Sequence, residues 1–325
     1  MRILLPISEI NAKTYIYEAS HETVISSIPY ASIWFALNSL FQYENVKNME
    51  IRTYNRKMDI NYKFDLPFIK RTRIESFEHE CIISNIESII SYIENVIMSG
   101  KYLYSHFEQY YIPGLKPYNK YRFSHDFIAY GYDSDKKELY ILTYTENNIF
   151  EPLTVKYENL IHAFQENTDT HMFLECEPID VSYQPKLSEI YSHLSIYCNL
   201  ITNADNINFN MGTYNTLVKF ILCGNIDLRS FRFFYERKQL LFNLVAFIEK
   251  QYNNLNLENE TYMLSNVKQK TKLVFMLLLK NSLKESDNIK MRVIKLLKES
   301  YTTEKFVLDS LLNKIEKEMV GINDV

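Results

Sequence analysis

The apolar and polar positions follow two different rhythms, and the change falls near residue 180. Before it, short runs rich in aromatic and β-branched residues dominate, with a few helical stripes between them. Residues 101–105, 123–132 and 139–144 are such runs. The polar stretch Asp133-Ser134-Asp135-Lys136-Lys137 separates the last two, which predicts a β-hairpin. Residues 152–155 continue as an extended segment and lead into a short helix over 157–164. The segment Met1-Arg2-Ile3-Leu4-Leu5-Pro6 is too short an apolar run for a signal peptide and reads as a first strand. An apolar segment over 29–43 opens on Pro29, a residue tolerated in a first helical turn, and predicts a buried helix. A second helix is predicted over 81–98, where Ile82, Ile86, Ile89, Ile90, Ile93 and Ile97 form one stripe ended by Ser99-Gly100.

After Pro178 and Pro185 the pattern is helical almost throughout. Residues 187–200, 214–222, 231–252, 267–283 and 289–315 carry apolar side chains three and four apart. No period recurs, which argues against a solenoid. The expected fold class is therefore α+β, an α+β domain over 1–180 with an additional all-helical C-terminal region over 181–325. The helices stand either as their own domain or packed directly on the first half.

With 325 residues and 46% hydrophobic content, the chain can bury an ample core. Its net charge of −4 and pI near 6.0 supply no basic field for a phosphate backbone, so nucleic acid is not an expected partner. The densest basic cluster, Lys70-Arg71-Thr72-Arg73, is followed at once by Glu75, Glu78 and Glu80. Cys81, Cys176, Cys198 and Cys223 stand singly, without CxxC or metal-ligand spacing, which fits a reducing cytosol. The apolar run 273–279 is closed by Lys272 and Lys280, well short of the roughly 20 residues that span a bilayer. A cytoplasmic location and no membrane partner are expected.

Chemistry concentrates in Ser124-His125-Asp126-Phe127-Ile128-Ala129-Tyr130-Gly131-Tyr132-Asp133, continued by Leu139-Tyr140-Ile141-Leu142-Thr143. A histidine opening a strand, a Gly-Tyr-Asp at its end and a returning apolar strand resemble the histidine hairpin of papain-like cysteine peptidases. The bacteriocin-leader peptidases, the butirosin-type acyltransferases and the amide-forming enzymes of closthioamide-type thiotemplated pathways are similar. The resemblance implies a papain-like fold in which His125 is the general base. Its partner would be a nucleophile at the N-terminus of the buried central helix, where the macrodipole and the imidazolium stabilise a thiolate. Backbone N–H groups at that helix end would receive the oxyanion.

By the family's Cys-x-Pro spacing, the nucleophile position falls on Ser27, two residues before Pro29, and the orienting position on Thr143, with Glu146, Asn147 and Asn148 just beyond. A serine hydroxyl is barely ionised at neutral pH, yet an oriented histidine can activate it. Thr143 can hold a neutral imidazole but cannot stabilise its charged form. Three readings stay open: a non-catalytic relative, a Ser–His acyltransferase, and an engineered replacement of cysteine at position 27. The resemblance implies amide formation from a carrier-protein thioester and a small amine. The partner would be an acyl or peptidyl carrier protein bringing its own phosphopantetheine arm, so no metal or diffusible cofactor is expected. The alternative is a catalytically silent scaffold or carrier-binding module.

Plainer roles compete with these. Ser26 and Ser27 can cap the helix that Pro29 begins. Asp133 suits a turn residue better than an acid. Asp126 points away from its neighbour His125, as adjacent strand residues do. Trp34 and Phe35 read as core, Glu236-Arg237-Lys238 as a solvated face or a cross-helix pair, and Cys198 and Cys223 as buried, inert thiols.

Overall fold

The aromatic and β-branched runs of the first half pair into one antiparallel sheet. The computed structural model of the chain describes residues 1–45, 50–53, 67–74, 86–167, 172–200, 208–224 and 226–323. They fall into two compact units, Met1–Ala31 with Asp59–Ser182 and Ser32–Met58 with Tyr183–Val325. The change of rhythm near residue 180 lies close to the third and last crossover, while residues 32–58 group with the C-terminal helices.

In the first unit the strand order is β4 (Ile69–Arg73), β9 (Leu174–Pro178), β5 (Tyr102–Glu108), β6 (Ser124–Asp133), β7 (Glu138–Tyr144) and β8 (Phe150–Lys156). The strand β1 (Arg2–Leu4) pairs antiparallel with the end of β6 through Leu4 and Gly131. Register shifts between Ala129 and Gly131, and a Cβ on Gly131 would stand 2.6 Å from Leu4 Cδ2 and 2.7 Å from the Ile3 carbonyl oxygen. Only glycine lets β1 lie there. The β6–β7 turn is held by Asp133, whose Oδ1 accepts the N–H groups of Asp135 and Lys136, each at 3.2 Å. Asp133 is thus the turn residue its type suggested.

Three helices of this unit matter here. The helix α3 (Ile86–Met98) turns Ile89, Ile93 and Ile97 onto the sheet, where they meet Phe107, Phe127 and Phe164. Each such side chain contributes roughly 2 kcal/mol on burial, an upper figure. The predicted residues 81–85 lie outside the described residues. The helix α4 (Tyr157–Gln165) adds Leu160 and Phe164 to the same core. The third, α1 (Ile16–Ile25), packs on β6 and β9 and was not expected. Nine of its ten residues are buried, among them Glu18, Ser20, His21, Glu22 and Thr23. A helix buried on every side shows no apolar stripe, so periodicity does not reveal it. Glu22 accepts the backbone N–H groups of Asn11 and Ala12 at 2.8 and 2.9 Å, and the Asn11 side-chain amide at 2.8 Å.

The helix expected from Pro29 is shorter and starts later. The helix α2 spans Ala31–Ser39, after Tyr30 takes a left-handed φ of 59°. Gln42–Asn45 forms β2 instead, pairing with β3 (Glu50–Thr53). Ser26 is the C-cap of α1, not an N-cap of α2.

The second unit is helical beyond Tyr183: α5 (Leu187–Asn199), α6 (Thr213–Leu222), α7 (Leu228–Gln251), α8 (Glu258–Leu283) and α9 (Asp287–Asn323). The Asp227 side chain caps α7, accepting from the N–H groups of Arg229 and Ser230. α8 packs on both α7 and α9, with Leu241, Leu244, Val267, Val274, Leu297 and Leu311 buried. Trp34 and Phe35 are buried as expected. Glu236, Arg237 and Lys238 are buried too, so the solvated-face reading fails and the cross-helix reading holds for Lys238. Its ammonium meets Glu304 Oε1 of α9 at 2.9 Å, with both side chains fully buried. The architecture is therefore α+β, a seven-stranded antiparallel sheet with helices and an all-helical C-terminal region. Among the described residues no helix is long and apolar enough to cross a membrane.

Candidate functional site

His125 is the second residue of β6, paired with Phe107 of β5, and is half-buried. Its ring lies between two aromatics, Phe123 at 5.4 Å and Tyr144 edge-on at 5.9 Å. Its Nδ1 lies 3.4 Å from the carbonyl oxygen of Asp126. The fully buried Thr143 donates its hydroxyl to that same oxygen at 3.1 Å. So the sheet brings His125 and Thr143 together on one carbonyl, but Thr143 ties β7 to β6 and does not bond the imidazole.

Tyr144 carries the neighbourhood further. Its hydroxyl donates to the Lys13 carbonyl at 2.5 Å, just ahead of the first turn of α1. His125 is thus linked, through the Tyr144 ring, to the segment that leads into the buried helix. The N-cap there is Tyr15, extended at φ −121° and ψ 126°, and its side chain does not cap the first-turn amides. Thr14 beside it is buried. This end has the positive dipole and the donors that an acyl-transfer site needs. It carries Thr14 and Tyr15 and no thiol.

Ser27 is elsewhere. It is exposed in the turn after α1, where Ile28 N–H bonds the Ile25 carbonyl at 3.0 Å. It makes no hydrogen bond to His125 or Thr143. α1 has ten residues, a rise of about 15 Å, and His125 and Ser27 stand near its opposite ends. The C-terminal end of a helix disfavours the negative charge of an alkoxide or oxyanion. The Pro29 spacing pointed to α2, whereas the buried helix beside the histidine hairpin is α1.

A loop frames this end of the sheet. Glu108 Oε1 accepts the N–H groups of Tyr110 at 3.0 Å and Phe123 at 2.7 Å, pinning both ends of the 112–123 segment. The segment exposes Lys116, Tyr118, Lys120, Tyr121, Arg122 and Phe123. Arg122 lies over the rings of Tyr110 and Tyr111 at 4.9 and 4.7 Å and pairs with Glu166 at 3.5 Å. The alternation of cations and aromatics was legible in the sequence but went unweighed beside the histidine.

Cys176 and Cys198 offer no substitute nucleophile. Burial pushes Cys176 up to about 12, and burial followed by the Glu304 charge does the same to Cys198. Cys223 is exposed at the C-cap of α6, not buried in a stripe, and Cys81 lies outside the described residues, as do His79 and His171. Among the described residues no three His, Cys, Asp or Glu side chains cluster as metal ligands. No protein-family model matches the chain, and no curated protein matches it.

Proposed function

We propose that the chain is a carrier-protein-binding module of the papain-like acyltransferase type, silent in acyl transfer. The reading rests on the end of α1 beside His125, which presents Thr14 and Tyr15 and no thiol, while Ser27 stands at the helix's other end. Thr14 and Tyr15 offer hydroxyls in place of a thiol, and a hydroxyl is a far weaker nucleophile than a thiolate at neutral pH. Among the described residues no carboxylate bonds the imidazole, and Thr143 bonds a backbone carbonyl instead, which supports the same reading. The exposed Lys116 and Lys120, among Tyr118, Tyr121 and Phe123, suit the phosphodiester and amide groups of a phosphopantetheine arm.

The second reading is the amide-forming acyltransferase with Ser27 as nucleophile and His125 as base. The exposure of the Ser27 hydroxyl favours it, because solvent and a thioester can reach that atom. Intact-protein mass spectrometry with acyl-loaded carrier proteins separates the two. The silent module binds the carrier and gains no acyl mass, whereas cysteine at Thr14 or Tyr15 gains one that His125→Ala abolishes. An acyl adduct on Ser27 of the unaltered chain establishes the acyltransferase instead.

A further inference from the structure

The net charge of −4 conceals a segregated cationic surface in the second unit. Residues 268–298, the end of α8 and the beginning of α9, hold nine Lys or Arg and two carboxylates. Three of these cations are engaged. Lys268 lies 3.9 Å above the Phe242 ring, Lys270 pairs with Glu299 at 2.8 Å, and Lys290 stands 3.9 Å from both Glu285 and Asp287. The remaining six are exposed and form no ion pair among the described residues.

Apolar side chains stand among them. Lys272, Met276, Lys280 and Leu283 follow one another at helical spacings of four, four and three, and so share one face of α8. Met276 is 52% exposed and Leu283 is 89% exposed, at the last residue of the helix. Across the short turn, Met291 of α9 is 63% exposed, beside Arg292 and Lys295. Cations interleaved with protruding apolar side chains on one helix face are the composition of a helix that lies in a lipid headgroup layer.

We propose that the tip of the α8–α9 hairpin docks on an anionic lipid surface. Lys272, Lys280, Lys284 and Lys295 meet headgroup phosphates, while Met276 and Leu283 enter the acyl boundary. Charge complementarity selects an anionic partner. The apolar residues select lipid over nucleic acid or an acidic protein, because a hydrophilic polyanion would leave the most exposed leucine in water. This is peripheral attachment, not a span, and it departs from the expectation of no membrane partner, which was drawn from the shortness of the apolar run 273–279.

Flotation of the full chain with phosphatidylcholine vesicles, with and without phosphatidylglycerol, tests the proposal. The chain floats with the anionic vesicles only, and added salt releases it. The Lys280→Glu/Lys284→Glu variant loses at least about tenfold in partitioning. The Met276→Ser/Leu283→Ser variant loses severalfold on vesicles while retaining any affinity for polyglutamate. All four positions are exposed, and an unchanged circular-dichroism melt verifies that the variants fold. Equal flotation with neutral vesicles, or none with anionic ones, overturns the proposal. So does tighter binding of polyglutamate or RNA that ignores Leu283, which would make the surface a polyanion site.

Discussion

Two polar clusters, one in each unit, are built in opposite ways. In the second, Lys238 and Glu304 are sealed from water and closed on each other. The ammonium also donates to the Tyr197 hydroxyl at 2.7 Å, and Tyr197 and Tyr214 donate to Glu304 at 2.9 and 2.6 Å. The rings of Phe234 and Tyr214 cover the ammonium at 4.3 and 4.7 Å. In the first unit His125 is half-buried, touches two aromatic rings and approaches one carbonyl at 3.4 Å. A cluster whose donors and acceptors all end on one another positions helices. One that leaves an imidazole open toward a helix N-terminus is available to a ligand.

The largest effect belongs to the closed cluster. Lys238→Met leaves the Glu304 carboxylate buried without its counter-charge, and the loss should be about 3–5 kcal/mol in urea unfolding. The paired replacement Lys238→Met/Glu304→Leu removes the stranded charge and should recover much of it. A neutral single variant would place Lys238 among open groups and dissolve the contrast. Burial drives the Lys238 pKa down against the opposing pull of the Glu304 charge, while burial and then Glu304 drive those of Tyr197 and Tyr214 up.

Glu22 of α1 is the first unit's nearest equivalent. Its carboxylate gathers three N–H donors from Asn11 and Ala12 and so fixes the chain entering the His125 end of the helix. Glu22→Ala should cost roughly 2–3 kcal/mol, since charged acceptors contribute more than neutral ones and the donors are left unmet. Glu22→Gln should cost less, because its carbonyl oxygen still accepts. A thermal melt of both variants checks the order.

These elements also show what the sequence made legible. The β6–β7 hairpin was readable because alternation, a polar turn and Asp133 all agreed. The C-terminal helices were readable because each keeps an apolar stripe. α1 was not, because tertiary burial of Glu18, His21 and Glu22 erased the stripe that would mark it. Pro29 drew the reading to α2, and the helix end beside His125 went unseen, although Thr14 and Tyr15 stood directly before it. A cross-helix pair for Lys238 was one reading of the sequence, but its partner Glu304 was out of reach, being 66 residues away with no local signature.

Alkaline pH should resolve the two units from each other. Burial raises the Cys176 thiol in the first unit from 9.0 to about 12. The folded state therefore keeps a proton that the unfolded chain releases. Its contribution is complete below pH 9.0 and is lost as pH rises through about 12. Cys176→Ala removes that dependence and should flatten the decline in the first unit's stability between those limits. The buried Tyr197 and Tyr214 follow the same sign from pH 10.0 upward in the second. Peptide-resolved hydrogen exchange against pH reads both, and an identical decline in the variant would remove Cys176 as a cause.

Ser27→Ala is the smallest change and the sharpest on function. The residue is exposed and its side chain holds no hydrogen bond among the described residues, so stability should shift by no more than about 0.5 kcal/mol. If Ser27 lies at the wrong end of α1 for His125, carrier affinity should not move either, whereas Phe123→Ala beside the imidazole should weaken it. A surface serine is also the position where a structural explanation for any lost activity is hardest to sustain. Acyl transfer abolished by Ser27→Ala with folding intact would therefore assign the chemistry to that hydroxyl. The α1 end would then have to reach it through a rearrangement, and the contrast between an open site and a closed one would need redrawing around Ser27.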